Sequence, residues 1–399
     1  MTTSDSKPDP FALLQEPSVR ADPYPLYHLL REQCPILIED GPLALVGSYE
    51  HSQQVLRDPA MSSRLQDLMP GVGRPDTDPP FLLLDPPDHT RLRGLVSQAF
   101  TPRAIAVLAP RITEIVENAL AEAAERGSID IVADLAYPLP VTIISEWLGV
   151  PTSDGESLRE WSQLLTRTFD LNVGSDERDE IARAAKDFDE YFRDLIAFRR
   201  RTPGDDLLSQ LISVEERGDR LTSAELLATV GLLLVAGHET TTNLISNGLL
   251  ALLRHPDELA RLRADPGLTD AAVEESLRYD PSVQLVGRVT KEPTTVGTLP
   301  VPANTWTILL IGAANRDPAR YPEPDRFRLD RDSVPHLAFS YGPHFCIGSS
   351  LARLEAGIAF RTFASTVVNP ELDADTLSYR RHVNFRGPDR MIVSFDAAR

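Results

Sequence analysis

Residues 339–348 read FSYGPHFCIG and place Cys346 directly before a helical pattern that runs from Ser349 to Val367. The first N–H groups of a helix carry partial positive charge and lower the pKa of a nearby thiol, so a sulfur there is suited to bind a metal as a thiolate. Gly342 and Gly348 allow the backbone to approach a flat ligand closely. Taken alone, Cys346 is equally well interpreted as a small buried hydrophobic side chain.

This stretch resembles the cysteine-ligand loop of the cytochrome P450 haem-thiolate monooxygenases, and the matching positions are Phe339, Gly342, His344, Cys346 and Gly348. Most members have a glycine directly after the phenylalanine, whereas this chain has a serine there, so the turn must carry a side chain. The resemblance implies haem b (iron protoporphyrin IX) as the cofactor, with Cys346 as the axial metal ligand and with Phe339 and Gly348 beside it. A thiolate opposite bound O2 donates electron density that promotes O–O cleavage.

The composition favours one large unit. The chain has 399 residues, and no linker, repeat or low-complexity run divides it; residues 1–399 are therefore predicted to form a single domain, with residues 1–20 as a flexible N-terminal segment. A formal net charge of −19 argues against nucleic acid or an anionic membrane as a partner. Cys34 and Cys346 form neither a disulfide framework nor a zinc cluster, and residues 1–30 carry no secretory signal. We expect a cytoplasmic protein, monomeric by default.

A long helix is predicted from Thr222 to His255. It opens with a capping box formed by Thr222 and Glu225, it stops before a proline, and it would be about 50 Å long. Its apolar residues surround most of the axis, so the helix should be buried on many sides. The segment AGHETT in its middle removes side-chain bulk at Ala236 and Gly237 and so opens a groove.

The resemblance identifies this groove as the O2-binding groove, with Ala236 beside the haem and with Glu239 and Thr240 as the catalytic acid and alcohol. Two protons must reach the distal oxygen, and a hydroxyl that holds water can relay them from a carboxylate linked to solvent. The alternative is a solvated surface acid followed by a neutral helix residue. His238 and Glu239 also begin the zinc motif H-E-x-x-H, but the last position is Thr242, which excludes that motif.

Two haem propionates need cationic donors when they are buried. His89 and Arg93 lie four residues apart and hence on one helix face. The resemblance assigns both to a propionate, together with Arg288 and His344, although each alone could be a surface residue. It also identifies Glu275 and Arg278 as a structural pair, completed by the arginine at position 326.

The predicted fold class is mainly α with small β-sheets, and the resemblance implies the cytochrome P450 fold with the long central helix crossing over the haem. A β-rich portion near the N-terminus would cover the substrate entrance. The segments that read as strands are Pro35–Val46, Thr294–Val301, Thr305–Ile311 and Arg390–Phe395.

The resemblance further implies insertion of one oxygen atom from O2 into a small hydrophobic substrate, by hydroxylation or epoxidation. A macrolide, polyketide, terpenoid or other specialised metabolite is expected. The predicted substrate contacts are Leu232, Val235, Gln284, Leu285, Val286 and Phe385, although residues at such spacings are as often core. The segment Ser62–Leu84 and the helices around Leu164–Leu171 are expected to form the lid.

Electrons would come from NAD(P)H through a ferredoxin and a ferredoxin reductase, since the chain has no cysteine cluster of its own. Arginines are the candidates for a basic docking patch, namely Arg91, Arg103, Arg111 and Arg353. Two other functions stay open: a peroxide-driven haem peroxygenase, and a non-catalytic haem sensor or binding protein. The intact pair of Glu239 and Thr240 argues against both.

Overall fold

The computed structural model describes residues 13, 16–38, 42–67, 78–169, 174–214, 221–332, 334–380 and 382–396. The predicted flexible segment 1–20 and both predicted lid segments lie partly outside these residues. In the described part, one helical stretch, residues 131–148, is long and apolar enough to span a bilayer, and 67% of it is buried inside the protein.

The α-helices of the described part, in chain order, are α1 (Pro17–Ala21), α2 (Tyr24–Gln33), α3 (Tyr49–Arg57), α4 (Asp88–Ser97), α5 (Pro102–Ala106), α6 (Ala109–Arg126), α7 (Pro138–Leu148), α8 (Gly155–Thr166), α9 (Ser175–Arg201), α10 (Leu207–Val214), α11 (Ser223–Arg254), α12 (Pro256–Ala264), α13 (Thr269–Tyr279), α14 (Ile311–Ala314) and α15 (Ser349–Thr366). The strands are β1 (Ile36–Ile38), β2 (Leu43–Val46), β3 (Met61–Ser62), β4 (Ser128–Asp130), β5 (Leu285–Thr290), β6 (Thr294–Val296), β7 (Leu299–Val301), β8 (Trp306–Leu310), β9 (Val368–Leu372), β10 (Ser378–Tyr379), β11 (Pro388–Arg390) and β12 (Ile392–Asp396). The chain is therefore mainly helical with small sheets, which confirms the predicted fold class.

The central helix α11 begins and ends where the sequence predicts. The Thr222 hydroxyl accepts from the N–H of Glu225 at 3.1 Å, and the Glu225 carboxylate accepts from the N–H of Thr222 at 2.7 Å, so the capping box is formed. Its residues are buried along most of the length because α7, α8, α13 and α15 all pack against it.

The largest sheet has the strand order β1-β2-β8-β5-β3, in which β2 and β8 run parallel and the other neighbours run antiparallel. Successive side chains of a strand point to opposite faces. Accordingly, Ala44 and Val46 join a core cluster on one face, whereas Leu45 joins a second cluster with Tyr27 and Leu310 on the other.

Four segments were predicted as strands, and the structure resolves them into more elements. Residues 35–46 contain β1 and β2, residues 294–301 form the hairpin of β6 and β7, and residues 390–395 contain the end of β11 and most of β12. Strand β8 agrees with its prediction. Strand β5 is not predicted. It pairs with β8, and the sheet near the N-terminus therefore takes two of its strands from the distant segment 285–310. No local pattern in the sequence reveals this pairing.

Candidate active site

The cysteine loop folds over its own backbone before α15. The N–H of Cys346 donates to the carbonyl of Phe339 at 2.8 Å. Ser340 and Gly342 both have left-handed backbone angles, with φ of +62° and +72°. A Cβ at Gly342 would lie 2.9 Å from the carbonyl oxygen of Leu56. This glycine therefore serves the packing of the loop against α3, and its approach to a flat ligand stays a prediction.

The sulfur of Cys346 sits at the start of α15. Burial raises the pKa of the Cys346 thiol, while the backbone N–H groups of Gly348 and Ser349 and the charges of Arg93 and Arg353 act in the opposite direction. Desolvation of the thiol thus acts against the helix N-terminus in the protein alone. The N–H groups and cations that favour a thiolate are nevertheless in place.

Four basic side chains predicted from distant parts of the chain converge beside this loop: His89, Arg93, Arg288 and His344. The rings of His89 and His344 lie 4.0 Å apart, Arg93 donates to the carbonyl of Phe345, and the Ser63 hydroxyl lies 3.0 Å from Nε2 of His344. Sequence reasoning did not identify Ser63 as a partner of His344. The predicted grouping of the four residues is thus brought together by α4, β5 and the cysteine loop.

Among the described residues, Asp85 is the carboxylate that acts on this basic cluster, on His89, Arg288 and His344. Burial, together with the charge of Arg288, lowers the pKa of His344 to about 3, and burial lowers the pKa of Arg288 to about 10. Asp85 opposes both shifts, but it already accepts from Ser62 and from the N–H of Ser63. Both ring nitrogens of His89 are buried without a partner in the part of the chain that is described. Unpaired buried donors and cations are costly, so the cluster fits an anionic group such as the propionates of haem.

The groove of α11 carries the predicted acid and alcohol. The Thr240 hydroxyl donates to the carbonyl of Ala236 at 2.8 Å, which leaves its oxygen free to accept a further bond. The Glu239 side chain is 3% exposed and forms an ion pair with Arg380, which sequence reasoning missed because 141 residues separate the two. The acid is therefore a buried, paired carboxylate, and the alternative of a solvated surface acid is wrong.

The predicted substrate contacts occupy different surroundings. Leu232 and Val235 lie in the core cluster of α8 to α11, and Leu285 belongs to the cluster with Tyr27. The amide of Gln284 donates to the carbonyl of Pro281, and its Oε1 faces Gly312 and α2. Val286 packs at the other face of β5, and Phe385 pairs with Val283. Contact of these six residues with a substrate stays a prediction.

The structural ion pair of Glu275 and Arg278 is fully buried, with two bonds of 2.7 Å between the side chains. The guanidinium that completes it belongs to Arg331, whose Nε lies 3.0 Å from Glu275. Arg326 was expected in that place, but its side chain is 66% exposed and pairs with Glu323. Only its carbonyl joins the network, where it accepts from Arg278 and Arg331.

Comparison with known proteins places this fold and site in one class, the helical haem enzymes with a cysteine loop. The structure of Mycobacterium smegmatis CYP164A2 in the ligand-free state superimposes with a TM-score of 0.90 and 42% identity, covering 96% of this chain and 99% of that one. The model of the family "Cytochrome P450" matches residues 36–365. The chain belongs to the cytochrome P450 family.

Two curated relatives have similar identity over nearly the full chain. The cytochrome P450 monooxygenase PikC of Streptomyces venezuelae is 42% identical over 363 residues, which cover 88% of this chain and 86% of that protein. The vitamin D(3) 25-hydroxylase of Pseudonocardia autotrophica is 41% identical over 387 residues, or 94% of each chain. The protein is thus an enzyme of the monooxygenase class, and its family implies a haem iron cofactor.

Proposed function

We propose that this enzyme inserts one oxygen atom from O2 into a small hydrophobic molecule, by hydroxylation or epoxidation. The observation that carries this proposal is the basic cluster of His89, Arg93, Arg288 and His344 beside the Cys346 loop. Asp85 is the carboxylate that acts on it among the described residues, and both ring nitrogens of His89 stay without a partner there. The apolar surroundings of Leu232 and Val235 favour an apolar substrate. A specialised metabolite such as a macrolide, polyketide or terpenoid fits the relatives, one of which is named for hydroxylating vitamin D(3).

In this proposal haem b would be held by Cys346 at its iron and by the basic cluster at its propionates, and Phe339, Gly348 and Ala236 would also contact it. Bound haem supplies the redox-active iron at which O2 is reduced and cleaved. The chain itself supplies protons. The Thr240 oxygen, whose own proton is committed to Ala236, accepts from a water in the groove, and Glu239 replaces the protons that this water gives up.

Electron supply, assembly and location are proposed from the family and the sequence. We propose a ferredoxin with its reductase as the donor of electrons from NAD(P)H, a monomeric enzyme in the cytoplasm, and no nucleic-acid or membrane partner. The net charge of −19 supports the last point, since an acidic surface repels both anionic polymers and anionic lipids.

The spectrum of the reduced carbon monoxide complex tests the proposal. A thiolate-bound haem absorbs far to the red of a histidine-bound one, so the wild-type protein should show the red-shifted band and Cys346→Ser should lose it. Cys34→Ser is the matched control and should keep the band, because Cys34 lies at the end of α2, away from the cysteine loop. A wild-type spectrum typical of imidazole ligation would overturn the proposal. Titration with candidate metabolites, read as a low-spin to high-spin shift, then identifies the substrate.

A further inference from the structure

A second group of buried polar side chains adjoins Glu239 on the side away from Thr240. His238 is fully buried, and its Nε2 lies 3.9 Å from the Glu239 carboxylate. Its Nδ1 lies 3.0 Å from the carbonyl of Leu234, an acceptor only, which assigns the ring proton to Nδ1. The Ser162 hydroxyl lies 3.1 Å from Nδ1 and 3.3 Å from Nε2, and with the ring proton on Nδ1 it is Nε2 that can accept from this hydroxyl. Burial lowers the pKa of His238 and keeps the ring neutral, so His238 faces Glu239 without a proton to give.

Tyr137 packs against His238 in this group. It is 2% exposed, and its ring stands edge-to-face against His238 with the centroids 5.7 Å apart. The guanidinium carbon of Arg159 lies 4.4 Å over the centre of the same ring. Arg159 is close enough to interact with the phenol oxygen, but a guanidinium can only donate, so the phenol proton has no acceptor among the residues that the structure describes.

The Tyr137 phenol also feels the charges of the acid and its partner. Burial raises the pKa of Tyr137 to about 12, with Glu239 adding to the shift and Arg380 opposing it, so both charged groups lie within electrostatic range of the phenol oxygen. A buried hydroxyl whose proton has no acceptor is costly and is usually satisfied by an ordered water. The position of this oxygen thus points to a water shared between Tyr137 and the pair of Glu239 and Arg380.

Among the described residues around Glu239, Arg380 is the one that extends toward solvent. The Arg380 side chain is 15% exposed, and its Nε lies 3.8 Å from Asp389, whose side chain is 65% exposed. A small cavity beside Arg380, lined also by Arg20 and Tyr379, opens to solvent. Tyr137 and His238, by contrast, are both buried. Arginine itself stays protonated, so it can hold or release Glu239 but cannot pass a proton.

We propose that Tyr137 is a positioning residue of the proton supply: its phenol oxygen holds the water that gives protons to Glu239, and Arg380 admits that water from the surface. This inference rests on the proposed monooxygenase function. Each proton passes from the water to the Glu239 carboxylate, and a proton from the next water restores the first. Tyr137 keeps its own proton throughout, as a phenol in a desolvated site should.

The decisive variant is Tyr137→Phe in the holoenzyme, because it removes one oxygen and keeps the ring contacts with His238 and Arg159. We expect the fraction of NAD(P)H electrons that reach product to fall on the order of tenfold and the kinetic solvent isotope effect to rise, while the substrate-induced spin shift is unchanged. Tyr321→Phe is the control. It also removes a buried hydroxyl, one that donates to the carbonyl of Pro335, and should leave the isotope effect at the wild-type value.

Two further measurements separate the outcomes. In a Glu239→Gln background, Tyr137→Phe should add no further loss of coupling, since the water then has no acid to serve; an additive loss would overturn the inference. The melting temperature should fall by about 1–2 °C if the phenol binds a water, and a rise would mean that the oxygen was unhydrated. If Tyr137→Phe keeps the wild-type isotope effect and a normal thiolate spectrum, the role of Tyr137 is refuted and the proposed function is not. If the wild-type protein itself shows no thiolate spectrum, the proposed function is refuted.

Discussion

Ser340 combines an unfavourable backbone angle with a buried hydroxyl that has no partner in the described structure. Its φ of +62° lies in the left-handed region. Glycine at this position would relieve both, so Ser340→Gly should raise the free energy of unfolding by about 1 kcal/mol. Thermal denaturation measures the change. Ser340→Ala removes only the hydroxyl, so its gain in the free energy of unfolding should be smaller. If Ser340→Gly lowers the free energy of unfolding instead, the serine hydroxyl has a partner.

Glu355 is 1% exposed on α15, and burial raises the pKa of this carboxyl to about 8. The folded protein therefore keeps a proton that the unfolded chain has already lost above its ordinary pKa of 4.5. The contribution of Glu355 to the free energy of unfolding is therefore largest at low pH. It declines between about pH 4.5 and 8, by at most about 1.4 kcal/mol per pH unit.

Glu355→Gln should remove this decline, because the amide does not titrate. Urea unfolding of both proteins at several values of pH gives the difference in slope. Glu292→Gln, at an exposed position, is the control and should keep the wild-type slope. Parallel slopes for wild type and Glu355→Gln would show that the carboxyl has a compensating partner.

At the scale of elements, the contact between α11 and α15 depends on one glycine. A Cβ built on Gly248 would lie 2.1 Å from the ring of Phe360, which is fully buried. Gly248→Ala should therefore force the helices apart and lower the free energy of unfolding by about 2 kcal/mol, although alanine favours a helix. Gly94→Ala in α4 has no neighbour within 4 Å and should instead stabilise by about 1 kcal/mol. Equal effects of the two variants would contradict the close contact.

The segment after α14 is fixed to α13 by Arg331. Its guanidinium, 7% exposed, bonds to Glu275 and to the carbonyls of Pro322 and Glu323. Arg331→Ala should cost about 3 kcal/mol, because it leaves buried acceptors unpaired. Arg326→Ala should change stability by less than about 0.5 kcal/mol, since its ion pair is exposed. Chemical denaturation of the two variants compares them, and the reverse order of effects would restore the assignment made from sequence.

At the scale of the whole molecule, the docking of an electron donor depends on which cations remain available. Arg91, Arg111 and Arg353 are each paired within the chain, with Glu225, Glu146 and Glu274 respectively. Arg103 is exposed on α5, which packs against α15, and it makes no ion pair within the described residues. The expected basic patch is thus largely neutralised, and Arg103 is its main remaining charge.

Arg103→Glu should raise the KM for a reduced ferredoxin several-fold and flatten its dependence on salt, with the substrate spin shift unchanged, because like charges repel at the rim of an interface. Arg183→Glu on α9 changes the net charge equally at an exposed position and is the control. Steady-state kinetics with a ferredoxin and its reductase measures both. Equal effects would mean that net charge, and not this surface, governs the encounter.

The sequence alone determined the local features. The capping box fixed the start of α11, the proline at position 256 fixed its end, and FSYGPHFCIG placed Cys346 before α15, because helix signals and loop motifs lie within a few residues of each other. The resemblance also brought His89, Arg93, Arg288 and His344 together correctly.

Only the tertiary structure decided which distant residues complete each site. Arg380 reaches Glu239 across 141 residues, and Arg331 takes the place expected of Arg326. Strand β5 joins a sheet that also contains β1, which begins at residue 36. An arginine carries no local mark of the carboxylate it will meet, since that partner is selected by burial and by the packing of elements far apart in the chain.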